Sequence, residues 1–142
     1  MAQRIPILVV DDDKEFLELV EYNLRLAGFE VYLATSGKKG LKLARKKQPA
    51  VILLDTVMPK MDGLEVLSEL KHDERTEKIP VFMLTGKTIM DDVERAFEIG
   101  ADDYITKPVE LKKLGSIVKM KMEKFKERSE GAGGKTDPAN HS

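Results

Sequence analysis

The sequence predicts an α/β sandwich built on a parallel five-stranded sheet, and three observations carry that prediction. Short runs rich in Val, Ile and Leu alternate along the chain with segments whose apolar residues recur at helical spacing. The run Val51-Ile52-Leu53-Leu54 is apolar throughout, which suits a strand covered on both faces, the habit of a central strand in a parallel sheet. No strand reads as a hairpin partner, so neighbouring strands need crossover helices between them.

The elements follow in order. Ile5-Pro6-Ile7-Leu8-Val9-Val10 is the first strand, with Pro6 near its start where a missing N–H is tolerated, and it stops at Asp11-Asp12-Asp13. From Glu15 to Ala27, Phe16, Val20, Leu24 and Ala27 form one helical stripe widened by Leu17, and Gly28 closes the helix. Phe29 to Ala34 is the second strand. Ser36 caps a helix carrying Leu41, Leu43 and Ala44 that ends before Pro49. The third strand runs into Asp55, Pro59 turns the chain away, and Asp62-Gly63 opens a helix marked by Leu64, Leu67 and Leu70.

After the charged loop His72 to Lys78, Ile79-Pro80-Val81-Phe82-Met83-Leu84 is the fourth strand, ending at Thr85-Gly86. Asp91 to Ile99 is the fourth helix, closed by Gly100. Asp102 to Thr106 is a brief fifth strand ending at Lys107-Pro108. Glu110 to about Arg128 is the last helix, with Leu111, Leu114, Val118, Met122 and Phe125 on one face. Residues 1–128 thus form one domain, and residues 129–142, rich in Gly, Pro and Ser, are expected to be a flexible tail.

Composition narrows the chemistry. The chain has 24 basic and 25 acidic residues and a net charge of −1, so no global field recommends a nucleic acid or a membrane. There is no cysteine, and His72 and His141 are too few for a His-rich centre, so any metal is expected to be hard and oxygen-bound. The N-terminal segment is neither a signal-peptide core nor a membrane span, and the expected location is cytoplasmic.

The carboxyl ends of parallel strands share one edge of the sheet, where ligands bind in open α/β folds. Asp11, Asp12, Asp55, Thr85 and Lys107 all fall there. Singly each has a plainer explanation: Asp12 or Asp13 suits a helix cap, Thr85 has strand propensity, and Lys107 suits a solvated surface. Together they form a set of carboxylates with one hydroxyl and one ammonium, the inventory of Mg²⁺-assisted phosphoryl transfer.

Four stretches carry a family resemblance: Leu8-Val9-Val10-Asp11-Asp12, Asp55-Thr56-Val57-Met58-Pro59-Lys60-Met61-Asp62-Gly63, Ile79 to Gly86, and Gly100 to Pro108. In this order and spacing the chain resembles the receiver domains of response regulators in two-component signalling, the stand-alone chemotaxis regulators included, from residue 5 to about 125. The resemblance implies a flavodoxin-like doubly wound sheet of order 2-1-3-4-5. It implies that Asp55 is the phosphoacceptor, that Asp11, Asp12, Asp55 and the Val57 backbone carbonyl hold Mg²⁺, and that Lys107 and Thr85 meet the phosphoryl group. Tyr104 becomes the aromatic switch partnered with Thr85, and Lys107-Pro108 a cis peptide.

The implied partners are a histidine kinase or phosphotransfer protein and a downstream protein target that docks on helix four, strand five and helix five. No direct nucleic-acid or membrane binding is expected, and a phosphorylation-dependent homodimer stays open. Two positions depart from the common pattern: Val57 is apolar where a polar residue is frequent, and Gly86 stands where Ala is frequent. A haloacid-dehalogenase-type phosphatase would place a second acid at position 57, and Val57 supplies no proton, so an enzyme is not expected. A flavin or nucleotide carrier would need a phosphate-cradling loop after strand one, where three aspartates stand instead. The lysines of helix five are read first as a solvated face and second as a docking surface for an acidic partner.

Overall fold

The computed structural model describes residues 3–58, 60–86 and 90–134. Among them the chain alternates β1 (Ile5–Val10), α1 (Lys14–Leu26), β2 (Phe29–Ala34), α2 (Gly37–Lys47), β3 (Val51–Asp55), α3 (Gly63–Lys71), β4 (Val81–Thr85), α4 (Met90–Ile99), β5 (Asp103–Thr106) and α5 (Leu111–Gly134). The five strands pair in parallel in the order β2-β1-β3-β4-β5, the doubly wound arrangement expected.

The two-residue period of a strand sorts the core into two layers. Leu8, Val10, Ile52, Leu54, Val81 and Met83 face one side, where α2 and α3 bring Leu41, Ala44, Val66, Leu67 and Leu70, and α4 adds Ala96. Ile7, Val9, Val51, Leu53, Phe82 and Leu84 face the other, against Leu17, Val20 and Leu24 of α1 and Leu114 and Val118 of α5. Every residue of β3 and β4 is buried, which is why those runs show no polar alternation in sequence.

Helix starts follow their caps. Asp13 accepts from Phe16 N, Ser36 from Lys39 N, and Asp62 forms a reciprocal capping box with Glu65. Gly28 and Gly100 follow α1 and α4 with φ of 98° and 132°, the left-handed region where glycine is at ease.

Most boundaries shift by a single residue, and two differ by more. Ile79 and Pro80 lie before β4: Pro80 has no N–H for the ladder, although its carbonyl accepts from Ile52 N at 3.0 Å. Helix α5 continues past Arg128 to Gly134, since residues after an established helix each add a hydrogen bond without a new nucleation cost. Helical structure therefore enters the stretch read as a flexible tail, and residues 135–142 lie outside the described residues. The lysines of α5 are not all a solvated face. Lys121 Nζ donates to Asp103 Oδ1 at 3.0 Å, and Lys119 Nζ donates to the Ala27 carbonyl at the end of α1.

Candidate functional site

The two innermost strands deliver the carboxylates. Asp11 N continues the β1 ladder by donating to Ala34 O at 3.0 Å, and its side chain is fully buried. Asp55 is the last residue of β3 and only 6 % exposed, so it lies deeper than the rim position read from sequence. The reason is the returning loop: Gly63 N donates to Thr56 O at 3.0 Å, and a Cβ at Gly63 would run into the Asp55 carbonyl oxygen. Only glycine lets α3 start that close to the strand. Asp12 stays exposed, and carboxylate oxygens of Asp11, Asp12 and Asp55 lie within 4.8 Å of one another. Of the two candidate caps for α1, Asp13 does that work, leaving Asp12 to the cluster.

Lys107 arrives from β5. Its backbone N–H donates to Thr85 O at 2.8 Å, and the Lys107–Pro108 peptide is cis, as the resemblance implied. Its ammonium donates to Asp11 Oδ2 at 2.7 Å, stands 3.6 Å from Asp55 Oδ1, and lies 4.6 Å from the centroid of the Phe16 ring. Burial pulls the Lys107 pKa down, but the hydrogen bond to Asp11 and the charges of Asp55 and Asp11 outweigh it and hold the ammonium above its ordinary value.

Asp55 moves the other way for its type. Burial, then the negative charge of Asp11, push its carboxyl up to about 6, while Lys107 and a 3.4 Å hydrogen bond from Val57 N pull it part of the way back. One ammonium therefore undercompensates the carboxylates. The ionised cluster holds an excess of negative charge on hard oxygens, a donor set that fits a divalent cation such as Mg²⁺.

Thr85 ends β4 and is buried. With Thr56, Ala96, Phe97 and Tyr104 it lines a small cleft beneath α4, so the structure brings Thr85 and Tyr104 to one space. The Tyr104 ring meets Phe97 edge-on, with centroids 6.2 Å apart at 82°, and remains 38 % exposed. Val57, two residues past Asp55, has 77 % of its surface exposed.

Two participants escaped the sequence reading. Gly63 reads in sequence as a helix-opening residue at the end of one family stretch, with no sign of its close approach to Asp55, and Phe16 only as one member of an apolar stripe. Phe16 is half-buried against the α1–α5 layer while its ring faces the ammonium, and only the topology of the sheet edge brings it there.

A parallel 2-1-3-4-5 sheet with this acidic edge defines a flavodoxin-like α/β domain with a cluster of oxygen donors that could hold a cation. The chain belongs to the response regulator receiver domain family, whose model matches residues 7–119. It is a receiver domain of two-component signalling, a family whose general function is to be phosphorylated on an aspartate. The DNA-binding dual master transcriptional regulator RpaA of Synechocystis is 45% identical over 108 residues, covering 76% of this chain and 45% of the relative. The alkaline phosphatase synthesis transcriptional regulatory protein PhoP of Bacillus subtilis is 40% identical over 113 residues, covering 80% and 46%. The chain thus spans about half the length of these curated relatives. The crystal structure of a CheY-like receiver domain protein from Methanospirillum hungatei superposes with a TM-score of 0.80 at 28% identity, covering 89% of this chain and 99% of that one.

Proposed function

We propose that Asp55 is the phosphoacceptor of this receiver, with Lys107 and Thr85 contacting the phosphoryl group. The observation that carries the reading is the convergence of Asp11, Asp12, Asp55 and Lys107 at one sheet edge, with the Asp55 carboxylate facing the ammonium at 3.6 Å. In the reaction a carboxylate oxygen of Asp55 attacks phosphorus, the bond from phosphorus to the donor breaks, and the donor leaves with that electron pair. Lys107 can release Asp11 and pair with an incoming phosphoryl oxygen, because both partners lie within reach of one ammonium.

Mg²⁺ would be held by Asp11, Asp12, Asp55 and the Val57 carbonyl, and when bound it would offset the charge of the phosphoryl oxygens. The raised Asp55 pKa supports this reading, since it reports uncompensated negative charge as well as burial.

Phosphorylation adds charge and acceptor oxygens beside Thr85. Thr85 and Tyr104 share a cleft under α4, so a shift of Thr85 toward the phosphoryl group opens room for the Tyr104 ring and changes the surface of α4, β5 and α5. The chain then acts as a phosphoacceptor that docks on a protein target and does not turn over a substrate. The donor is a histidine kinase or phosphotransfer protein. Among the described residues no helix is long and apolar enough to cross a membrane, and the proposed setting is the cytoplasm.

The test is labelling with acetyl phosphate and Mg²⁺ followed by intact-mass and peptide mass spectrometry. One phosphate on Asp55, lost in Asp55→Asn, is the expected result. Full labelling of Asp55→Asn removes the assignment.

A further inference from the structure

We propose that Phe16 is a positioning residue for phosphoryl transfer, its ring face holding the Lys107 ammonium over the acceptor; this rests on the reading of Asp55 and Lys107 given above. The geometry is a closed circuit. Asp13 N donates to Asp11 Oδ1 at 2.9 Å, Phe16 N donates to Asp13 Oδ1 at 3.1 Å, the Lys107 ammonium lies 4.6 Å from the Phe16 ring centroid, and that ammonium donates to Asp11 Oδ2 at 2.7 Å. The α1 cap therefore fixes the Phe16 backbone beside Asp11, and the ring lies against the ammonium.

Lysine is a flexible four-carbon stem with strong hydration, and here its head is only partly shielded. Were Asp11 to ligate a cation, the 2.7 Å hydrogen bond that holds the head would be weakened or lost. The aromatic face then remains as a partner that competes with neither the cation nor the phosphoryl oxygens, because it attracts positive charge without offering a lone pair to either. An aliphatic residue of similar size fills the same space and lacks that attraction.

Phe16 lines a groove with Lys107, Pro108, Val109 and Leu111, where a protein donor would also meet it. A small donor separates positioning from docking. The experiment places 4-fluoro-, 3,5-difluoro- and 3,4,5-trifluorophenylalanine at position 16, keeping the shape while draining the ring face, and measures the rate of labelling by acetyl phosphate at saturating Mg²⁺. The logarithm of the rate should fall stepwise with fluorination, to a total of about three- to tenfold. Phe16→Leu should match the slow end of the series and Phe16→Trp should recover the wild-type rate. A flat series in protein that is still labelled on Asp55 overturns the positioning role of Phe16. Wild-type protein that is not labelled on Asp55 overturns the underlying site assignment instead.

Discussion

Lys107 Nζ and Asp11 Oδ2 meet at 2.7 Å although 96 positions separate them in the chain. The ammonium is closer to Asp11 than to the Asp55 oxygen at 3.6 Å, so it serves first as counter-ion to a fully buried carboxylate. On the proposed site reading, a cation held by Asp11 and Asp12 would share that duty and let Lys107 turn.

The first prediction follows from this exchange. The three carboxylates are undercompensated without a cation, so millimolar Mg²⁺ should raise the melting temperature of the wild type by mass action. Asp12→Ala removes one oxygen donor and should show almost no Mg²⁺-dependent shift, together with loss of labelling. Equal shifts in both proteins, followed by calorimetry, would mean that the effect is generic ionic strength.

A second prediction concerns pH. The Asp55 carboxyl is raised from an ordinary 3.8 to about 6, so between those values the folded protein holds a proton that the unfolded chain has released. Stability contributed by this group is full below about 4 and falls as pH rises through 6. In the presence of a chelator, Asp55→Asn should therefore be more stable than wild type at pH 7, by about 1–2 kcal/mol after allowance for solvent at the open edge, and equal to it near pH 4. Asp73 titrates in the opposite sense, because Arg75 holds its carboxyl well below the usual range; the comparison of the two proteins removes that contribution. A difference that does not vary with pH in urea titrations would refute the assignment.

A third prediction lies away from the site. Lys71 Nζ, at the end of α3, donates to the carbonyls of Glu77 at 3.3 Å and Ile79 at 3.0 Å and to Asp102 Oδ2 at 3.0 Å, while that same oxygen accepts from Val81 N at 2.9 Å. One mostly buried ion pair thus ties α3 to the starts of β4 and β5. Lys71→Met leaves a carboxylate and two carbonyls short of a donor, and should cost about 2–4 kcal/mol in chemical denaturation. Asp102→Asn should cost nearly as much, and the double variant clearly less than the two losses added. Additive losses would mean that the two residues act independently.

The strands were legible because each is a contiguous apolar run, and their carboxyl-terminal polar residues could be placed at one edge by the logic of parallel crossovers alone. Asp11, Asp12, Asp55, Thr85 and Lys107 were found that way. The strand order came from family resemblance, since nothing in a β-α alternation says which strand lies beside which. Contacts made across the fold stayed hidden. Lys71 reads as one more lysine on a charged helix end, yet it fills three acceptor demands, and Asp102 reads as the start of β5, yet it serves β4. Gly115 lies where a Cβ would strike Ala27, an approach of α5 to α1 that no local pattern records. Low apolar content with Gly, Pro and Ser points to a flexible tail after Arg128, yet α5 runs on to Gly134, because a long helix already nucleated carries on through such residues at a modest cost for each.

The final prediction concerns how long the phosphorylated state lasts. Hydrolysis requires a water in line behind phosphorus, approaching from the open side of the site. Val57, two residues past the proposed acceptor, is the side chain expected to flank that approach: 77 % of its surface is exposed, its N–H donates to Asp55, and its side chain can neither donate nor accept a hydrogen bond. Lys87, the other side chain expected at that approach, lies outside the described residues. An apolar group at the mouth leaves the attacking water without an orienting partner, so the phosphorylated protein should decay slowly. Val57→Asn supplies both a donor and an acceptor at the same place, with little structural cost because the residue is on the surface. Loss of phosphate from Asp55, followed by mass spectrometry after removal of the donor, should then be several-fold faster, while the labelling rate changes less. A lifetime that is unchanged or longer in Val57→Asn would show that residue 57 does not control water access.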